Sequence, residues 1–154
     1  MIRLNRILLP TDFSDSARHA FGYALSFAVE YRAELLLLHV VEAIPAGYAA
    51  ELYSAPMARV FEEMSGYARN ELDKLIAEAA AQQVAARALV EEGKSPAGIV
   101  RVAREEKVDL IVLGTHGKGL LDKALFGSTT ERVVRHAPCP VLTCRLSEHE
   151  AAGA

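Results

Sequence analysis

Gly114 and Gly117 are separated by two residues, and Gly127-Ser128 follows after residues 118–126. Phosphates need close approach to backbone N–H groups, which glycine permits because it lacks a Cβ. The first two glycines come directly after an apolar run that reads as a strand. The third opens a segment that reads as a helix, where free N–H donors and the dipole favour an anion. Ser128, Thr129 and Thr130 would add donors in that first turn, and Lys118, inside the loop, a point charge. The chemistry indicated is that of a phosphate cradle. The competing reading is that Gly114 and Gly117 only turn the chain and Ser128 only caps its helix.

Asp12 ends the run Ile7-Leu8-Leu9-Pro10-Thr11-Asp12. A carboxylate there suits ribose hydroxyls, or helps hold a magnesium ion; alternatively it ties the turn into the next helix. Other chemistries lack their residues. No Gly-x-x-x-x-Gly-Lys-Ser/Thr, Gly-x-Gly-x-x-Gly or Gly-x-Ser-x-Gly occurs. His19, His39, His116, His136 and His149 show no metal-ligand spacing, and neither Cys139 nor Cys144 belongs to a Cys-x-x-Cys pair. His39, at a strand end, reads as a satisfied, partly buried histidine and not as a base.

The elements that must position these residues alternate. Ile7 to Leu9 is a first strand halted by Pro10. Ser14 caps a helix starting at Asp15, with Ala17, Ala20, Phe21, Ala24 and Ala28 on its apolar face. Leu35 to Val41 is a second strand, apolar on both sides as a central parallel strand should be. Glu42 to Pro56 has no clean period and reads as a long irregular connection, whose Tyr48 and Tyr53 are assigned to packing. A long helix follows, with a stripe that includes Met57, Val60, Met64, Ala68, Leu72, Leu75 and Ala79; both methionines read as core. Val84 to Glu91 is the third strand. Ser95-Pro96 supplies a cap and first-turn proline for a helix with Ile99, Val100 and Ala103 inside. Val108 to Leu113 is the fourth strand, Ser128-x-x-Glu131 a capping box opening the last helix, and Val141 to Leu146 the fifth strand.

Five strands and four helices predict an α/β fold: a three-layer, doubly wound, five-stranded parallel sheet of order 3-2-1-4-5 with helices on both faces. One domain spans residues 1–146, and residues 147–154 form a frayed tail. The switch point falls between strands 1 and 4, so a ligand belongs at the C-terminal strand ends, beside Pro10-Thr11-Asp12, His39-Val40 and Gly114 to Gly117.

Hydrophobic residues make up 51% and charged residues 24% of the 154 residues, a globular composition. The net charge of −3 argues against non-specific nucleic-acid binding, which rests on phosphate neutralisation. The longest apolar run falls far short of the ~20 residues of a spanning helix, and the N-terminus has no secretory pattern; a cytoplasmic protein is expected. Cys139 and Cys144 are read on one strand with side chains on opposite faces, as two free thiols.

Gly114-x-x-Gly117, nine residues, then Gly127-Ser128 resembles the nucleotide signature of the ATP-binding branch of the universal stress protein family. Ile7 to Ser14 and Leu37-Leu38-His39-Val40 resemble that family's first two strand ends, and Pro138-Cys139-Pro140-Val141-Leu142 its last strand. The likeness runs from about Ile2 to Arg145. It implies ATP, with magnesium, as cofactor. Asp12, beside Pro10 and Thr11, would contact the ribose, and the Val40 backbone the adenine edge. Leu113 and Gly114 would line sugar and base, while Gly117, Gly127, Ser128 and Thr129 cradle the phosphates with His116 and Lys118 close by. The resemblance also implies a homodimer through antiparallel pairing of Val141 to Leu146, an edge that would otherwise invite aggregation.

The expected function is an ATP-binding regulatory or stress-response module. Phosphoryl transfer needs a positioned base or water-orienting residue; none is identifiable, so at most slow hydrolysis is expected. Two alternatives stay open: a nucleotide-dependent enzyme (ATPase or adenylyl transfer), and a ligand-free dimerisation module.

Overall fold

The computed structural model describes residues 1–42, 55–115 and 127–146, and of residues 55–58 the backbone alone. Within them the order is β1 (Arg6–Pro10), α1 (Asp15–Tyr31), β2 (Glu34–Val41), α2 (Ala55–Ala81), β3 (Ala86–Glu92), α3 (Ser95–Glu105), β4 (Leu110–Gly114), α4 (Ser128–His136) and β5 (Val141–Cys144). The strands form one five-stranded sheet of order β3-β2-β1-β4-β5, and every pairing is parallel. Fold class and strand order are those expected. β1 lies at the centre, with Leu8 opposite Leu36 on one side and Ile111 on the other.

Period-two alternation sends successive strand residues to opposite faces. Ile7, Leu9, Leu35 and Leu37 join Phe21, Ala24, Leu72 and Ala79 in the core beneath α1 and α2. Leu8, Leu36, Leu38, Ile111 and Leu113 join Ile99, Ala103 and Val133 beneath α3 and α4. Each helical layer therefore buries its own apolar stripe, which is why the central strands read as continuous apolar runs.

Several boundaries move. β5 ends at Cys144, and Cys139 precedes it, so the two thiols do not share a strand; both are free and lie over opposite cores. Ala55 and Pro56 belong to α2 and not to the preceding connection. Val84 and Val108 lie ahead of β3 and β4. Each closes a helix end instead: Val84 N–H donates to the Ala79 carbonyl at 3.0 Å, and Val108 N–H to the Ala103 carbonyl at 3.0 Å. Ala33 N–H does the same to Ala28 at 3.0 Å. The residue before each, Arg32, Gln83 and Lys107, is left-handed at φ 55°, 60° and 51°. A left-handed residue followed by a buried apolar one is the Schellman ending, here built without glycine.

Val60 and Met64 correct the expectation for α2. They are 42% and 48% exposed, not core. The reason is length: a helix of 27 residues spans about 40 Å, whereas the eight-residue β2 spans about 26 Å. The excess length falls at the N-terminal turns, since Ala68, Leu72, Leu75 and Ala79 farther along are buried. The Met57 side chain, Tyr48, Tyr53 and most of the Glu42 to Pro56 connection, like the tail 147–154, lie outside what is described. No helix among the described residues is long and apolar enough to cross a membrane.

Candidate functional site

At the C-terminal strand ends, where β1 and β4 diverge, α1 departs to one face of the sheet and α4 to the other. The crevice between them has a cavity volume of about 790 Å³, within the usual range of ligand pockets. Pro10, Thr11, Asp12, Val40, Leu113, Gly114, Gly127, Ser128 and Thr129 all line it. His116, Gly117 and Lys118 lie outside the described residues.

The β1–α1 turn is held by its own side chains. Thr11 Oγ1 accepts from Phe13 N–H at 3.0 Å, Asp12 Oδ1 from Ser14 N–H at 3.0 Å, and Ser14 Oγ from Ala17 N–H at 3.2 Å. Asp12 therefore does tie the turn into α1, as the alternative reading had it, and its carboxylate also lines the crevice. Ser14 is the N-cap of α1, as expected. The turn is fastened to β2 as well: Thr11 N–H donates to the Leu38 carbonyl at 2.8 Å, and the Thr11 carbonyl lies 2.8 Å from His39 Nδ1. A carbonyl only accepts, so Nδ1 carries the hydrogen. His39 is thus the satisfied histidine expected, and its ring stacks on Phe13 with centroids 4.7 Å apart.

Opposite stands the N-terminus of α4. Gly127 N–H donates to the Thr115 carbonyl at 2.8 Å, which clasps the helix start against the exit of β4. Gly127, not Ser128, is the N-cap, and no side chain caps the helix. The capping box is therefore absent; Glu131 instead accepts from Arg135 at 2.9 Å. Glu131 N–H makes the first intrahelical bond, to the Gly127 carbonyl at 3.0 Å. The amides of Ser128, Thr129 and Thr130 precede it and have no acceptor within the helix. Thr130 is tied down, its Oγ1 donating to the Gly114 carbonyl at 3.1 Å. Ser95 likewise does not cap α3: the N-cap is Lys94, and Ser95 Oγ donates to Glu42 at 2.8 Å on the crevice rim.

Gly114 has a reason of its own. A Cβ there would lie 2.4 Å from Ser16 Oγ and 2.7 Å from the Ser16 backbone, so the residue is dictated by close packing of α1 on β4. Gly127 sits at φ −68°, ψ 158°, which any residue adopts; what glycine contributes there is the lack of a side chain beside the helix N-terminus.

The floor is apolar: Leu38, Val40, Ile99 and Leu113. A second flank was not anticipated from sequence. Val60, Met64 and Tyr67 of α2 line it, with Tyr67 edge-on to Phe13 at 6.0 Å. Their i, i+4, i+7 spacing was visible, but spacing alone does not tell a core stripe from one that overhangs a cleft. Both cysteines lie away from the crevice, and burial raises the pKa of each thiol, which argues against reactive roles. Among the described residues no cluster of three His, Cys, Asp or Glu side chains is arranged to hold a metal ion.

Residues 3–145 match the universal stress protein family. The chain is 38% identical over 141 residues to a universal stress protein of Thermus aquaticus, covering 90% of this chain and 97% of that one. It is 35% identical over 146 residues to universal stress protein MJ0531 of Methanocaldococcus jannaschii, covering 94% and 84%. The solved structure of MJ0577 from the same organism superimposes with a TM-score of 0.84 at 28% identity, over 96% of this chain and 99% of that one.

Proposed function

The chain belongs to the universal stress protein family, and from that membership and the crevice we propose that it binds an adenine nucleotide, ATP with magnesium, as a cytoplasmic regulatory module. One observation carries the reading. The uncapped N-terminus of α4, with the amides of Ser128 and Thr129 lacking helical acceptors, opens on the same cavity as the Asp12 turn and an apolar floor. That combination suits a ligand with an anionic end, a polar middle and a flat apolar end.

In this reading Gly127, Ser128 and Thr129 receive the phosphates, together with His116, Gly117 and Lys118 from the β4–α4 loop. Asp12, beside Pro10 and Thr11, takes the ribose hydroxyls. Val40 and Leu113 border the base, with Gly114 beneath the sugar. Magnesium would enter on the phosphates, and of the carboxylates that line the crevice, Asp12, Glu42 and Glu63, Asp12 is the one at the end of β1. Solved structures of an Arabidopsis thaliana family protein with AMP bound and of a universal stress protein in complex with cAMP share the fold at 21% and 22% identity. That likeness is one of fold, so the argument for this chain rests on its own residues. No base is assigned for attack on a phosphate, so hydrolysis is slow at most. β5 is a sheet edge, and its pairing with a second copy is the proposed dimer contact, as Val141 to Leu146 suggested.

Native mass spectrometry of the purified chain is expected to show retained adenine nucleotide or uptake of added ATP. A chain that takes up none would contradict the reading. Asp12→Ala should weaken ATP about tenfold or more, the loss of a hydrogen bond to a charged group. Asp12→Asn should keep the Ser14 contact and the fold's stability, yet still bind ATP more weakly. If both variants matched the parent in calorimetry, Asp12 would be left with the turn alone.

A further inference from the structure

Away from the crevice, α3 and α4 pack side by side and leave an outer groove of about 570 Å³ between them. The chain as a whole carries a net charge of −3, yet this groove is bordered by Lys94, Arg101, Arg104, Arg132 and His136 against one acid, Glu105. Arg101 is committed to Glu91 at 2.6 Å and Glu105 at 3.0 Å. Lys94, Arg104 and Arg132 make no ion pair among the described residues. Pro96, Ala97 and Val100 are the apolar part of its lining. None of its lining residues lines the crevice, so it is a separate feature.

Helix electrostatics accounts for part of this charge. Arg104 lies in the last turn of α3, where a cation complements the dipole. It does not account for Lys94. That residue is the N-cap of α3, makes no capping bond, and sets a cation against the positive end of the dipole. Ser, Thr, Asp or Asn there would stabilise the helix by about 1 kcal/mol. A locally unfavourable residue facing a groove that is already cationic points to a use for the charge.

We propose that the α3–α4 groove docks an acidic peptide segment of a partner protein, with carboxylates on Lys94, Arg104 and Arg132 and apolar side chains on Pro96, Ala97 and Val100. The geometry favours a peptide over other polyanions. A bilayer is met by a broad apolar face carrying large side chains such as Trp, Phe or Leu, whereas here only Pro96, Ala97 and Val100 of the lining are apolar. Nucleic-acid binding draws on many phosphate contacts along a basic stripe, and this patch is short on an acidic molecule. Carboxylates bonded to arginine, with apolar side chains alternating between them, match both the cationic and the apolar parts of the lining.

The test is fluorescence anisotropy with the full chain and a labelled synthetic peptide of alternating glutamate and leucine. The wild type should bind it, more weakly as salt rises, and should not bind the glutamine–leucine counterpart. Arg104→Ala with Arg132→Ala should weaken binding at least tenfold, while Arg104→Lys with Arg132→Lys, which keeps the charge and guards against misfolding, should retain most of it. Arg69→Ala, on α2 across the sheet, should change nothing. No binding by the wild type, equal binding of the glutamine peptide, or equal loss from Arg69→Ala would overturn the proposal. So would phosphatidylserine vesicles or single-stranded oligonucleotide displacing the peptide and losing their own binding on the same two substitutions.

Discussion

A methyl group on Gly114 would lie 2.4 Å from Ser16 Oγ and 2.7 Å from the Ser16 backbone, and backbone cannot swing aside as a side-chain tip can. Gly114→Ala should therefore cost about 1–3 kcal/mol, the usual range for overpacking a tight contact, read as a lower urea midpoint. An unchanged midpoint would mean that α1 yields easily. Spacing brought this glycine to notice for its nearness to a phosphate or a turn. The demand that holds it there comes from Ser16, distant in sequence, and no local pattern announces it. Asp12 differs, because both of its readings were visible at once: the bond to Ser14 N–H satisfies one, and the crevice leaves room for the other. Phe13 was silent. Its φ of 63° and its stacking on His39 come from the fold around it.

Three helices end on a left-handed residue that is not glycine: Arg32, Gln83 and Lys107. An L side chain in that region costs roughly 1 kcal/mol or more. Gln83→Gly and Lys107→Gly should each stabilise the chain by up to about 1 kcal/mol, partly offset by the freer unfolded chain. Thermal melts of the single and double variants check this; a fall in Tm for both would show that the side chains contribute more than their backbone costs. Periodicity located the first three helices because each buries a stripe against the sheet, whereas the last was placed from Ser128 and Glu131. Their ends were less legible. Ser95 and Ser128 both carry the residue type of a cap, yet each lies one position inside its helix. At α4 that displacement leaves the first amides of the helix without a side-chain cap, which makes the proposed phosphate site possible.

On the scale of the whole molecule, the sheet has two different poles. Away from the crevice, Arg6, Glu34, Arg87 and Glu106 form one ion-pair network across β1, β2, β3 and the end of α3. The hydrogen bond from Arg87 lowers the pKa of Glu106. A depressed carboxyl pKa stabilises the fold above the unfolded-state value, about 4.3 for glutamate, and that contribution is lost as pH falls through the folded value. Glu106→Gln should thus lower stability near neutrality, by no more than about 1 kcal/mol because the pairs are solvent-screened, read as a lower Tm. Parent and variant curves should converge below pH ~4; a constant gap down to pH ~3 would contradict the linkage. Strand order was legible because five apolar runs separated by helices leave few right-handed arrangements. The overhang of α2 and the groove between α3 and α4 were not, since both depend on element lengths and on which helices share a face.

The opposite pole carries the central claim, that the C-terminal strand ends hold a nucleotide. Titrating ATP and magnesium into the isotopically labelled chain, with backbone amide shifts followed by NMR, tests it most directly. The account predicts saturable shifts that begin together at Thr11, Asp12, Val40 and Gly127 to Thr129, with the Arg6 to Glu106 pole unmoved. Shifts absent from Gly127 to Thr129 at saturating ATP, or scattered over the surface without saturation, would contradict it.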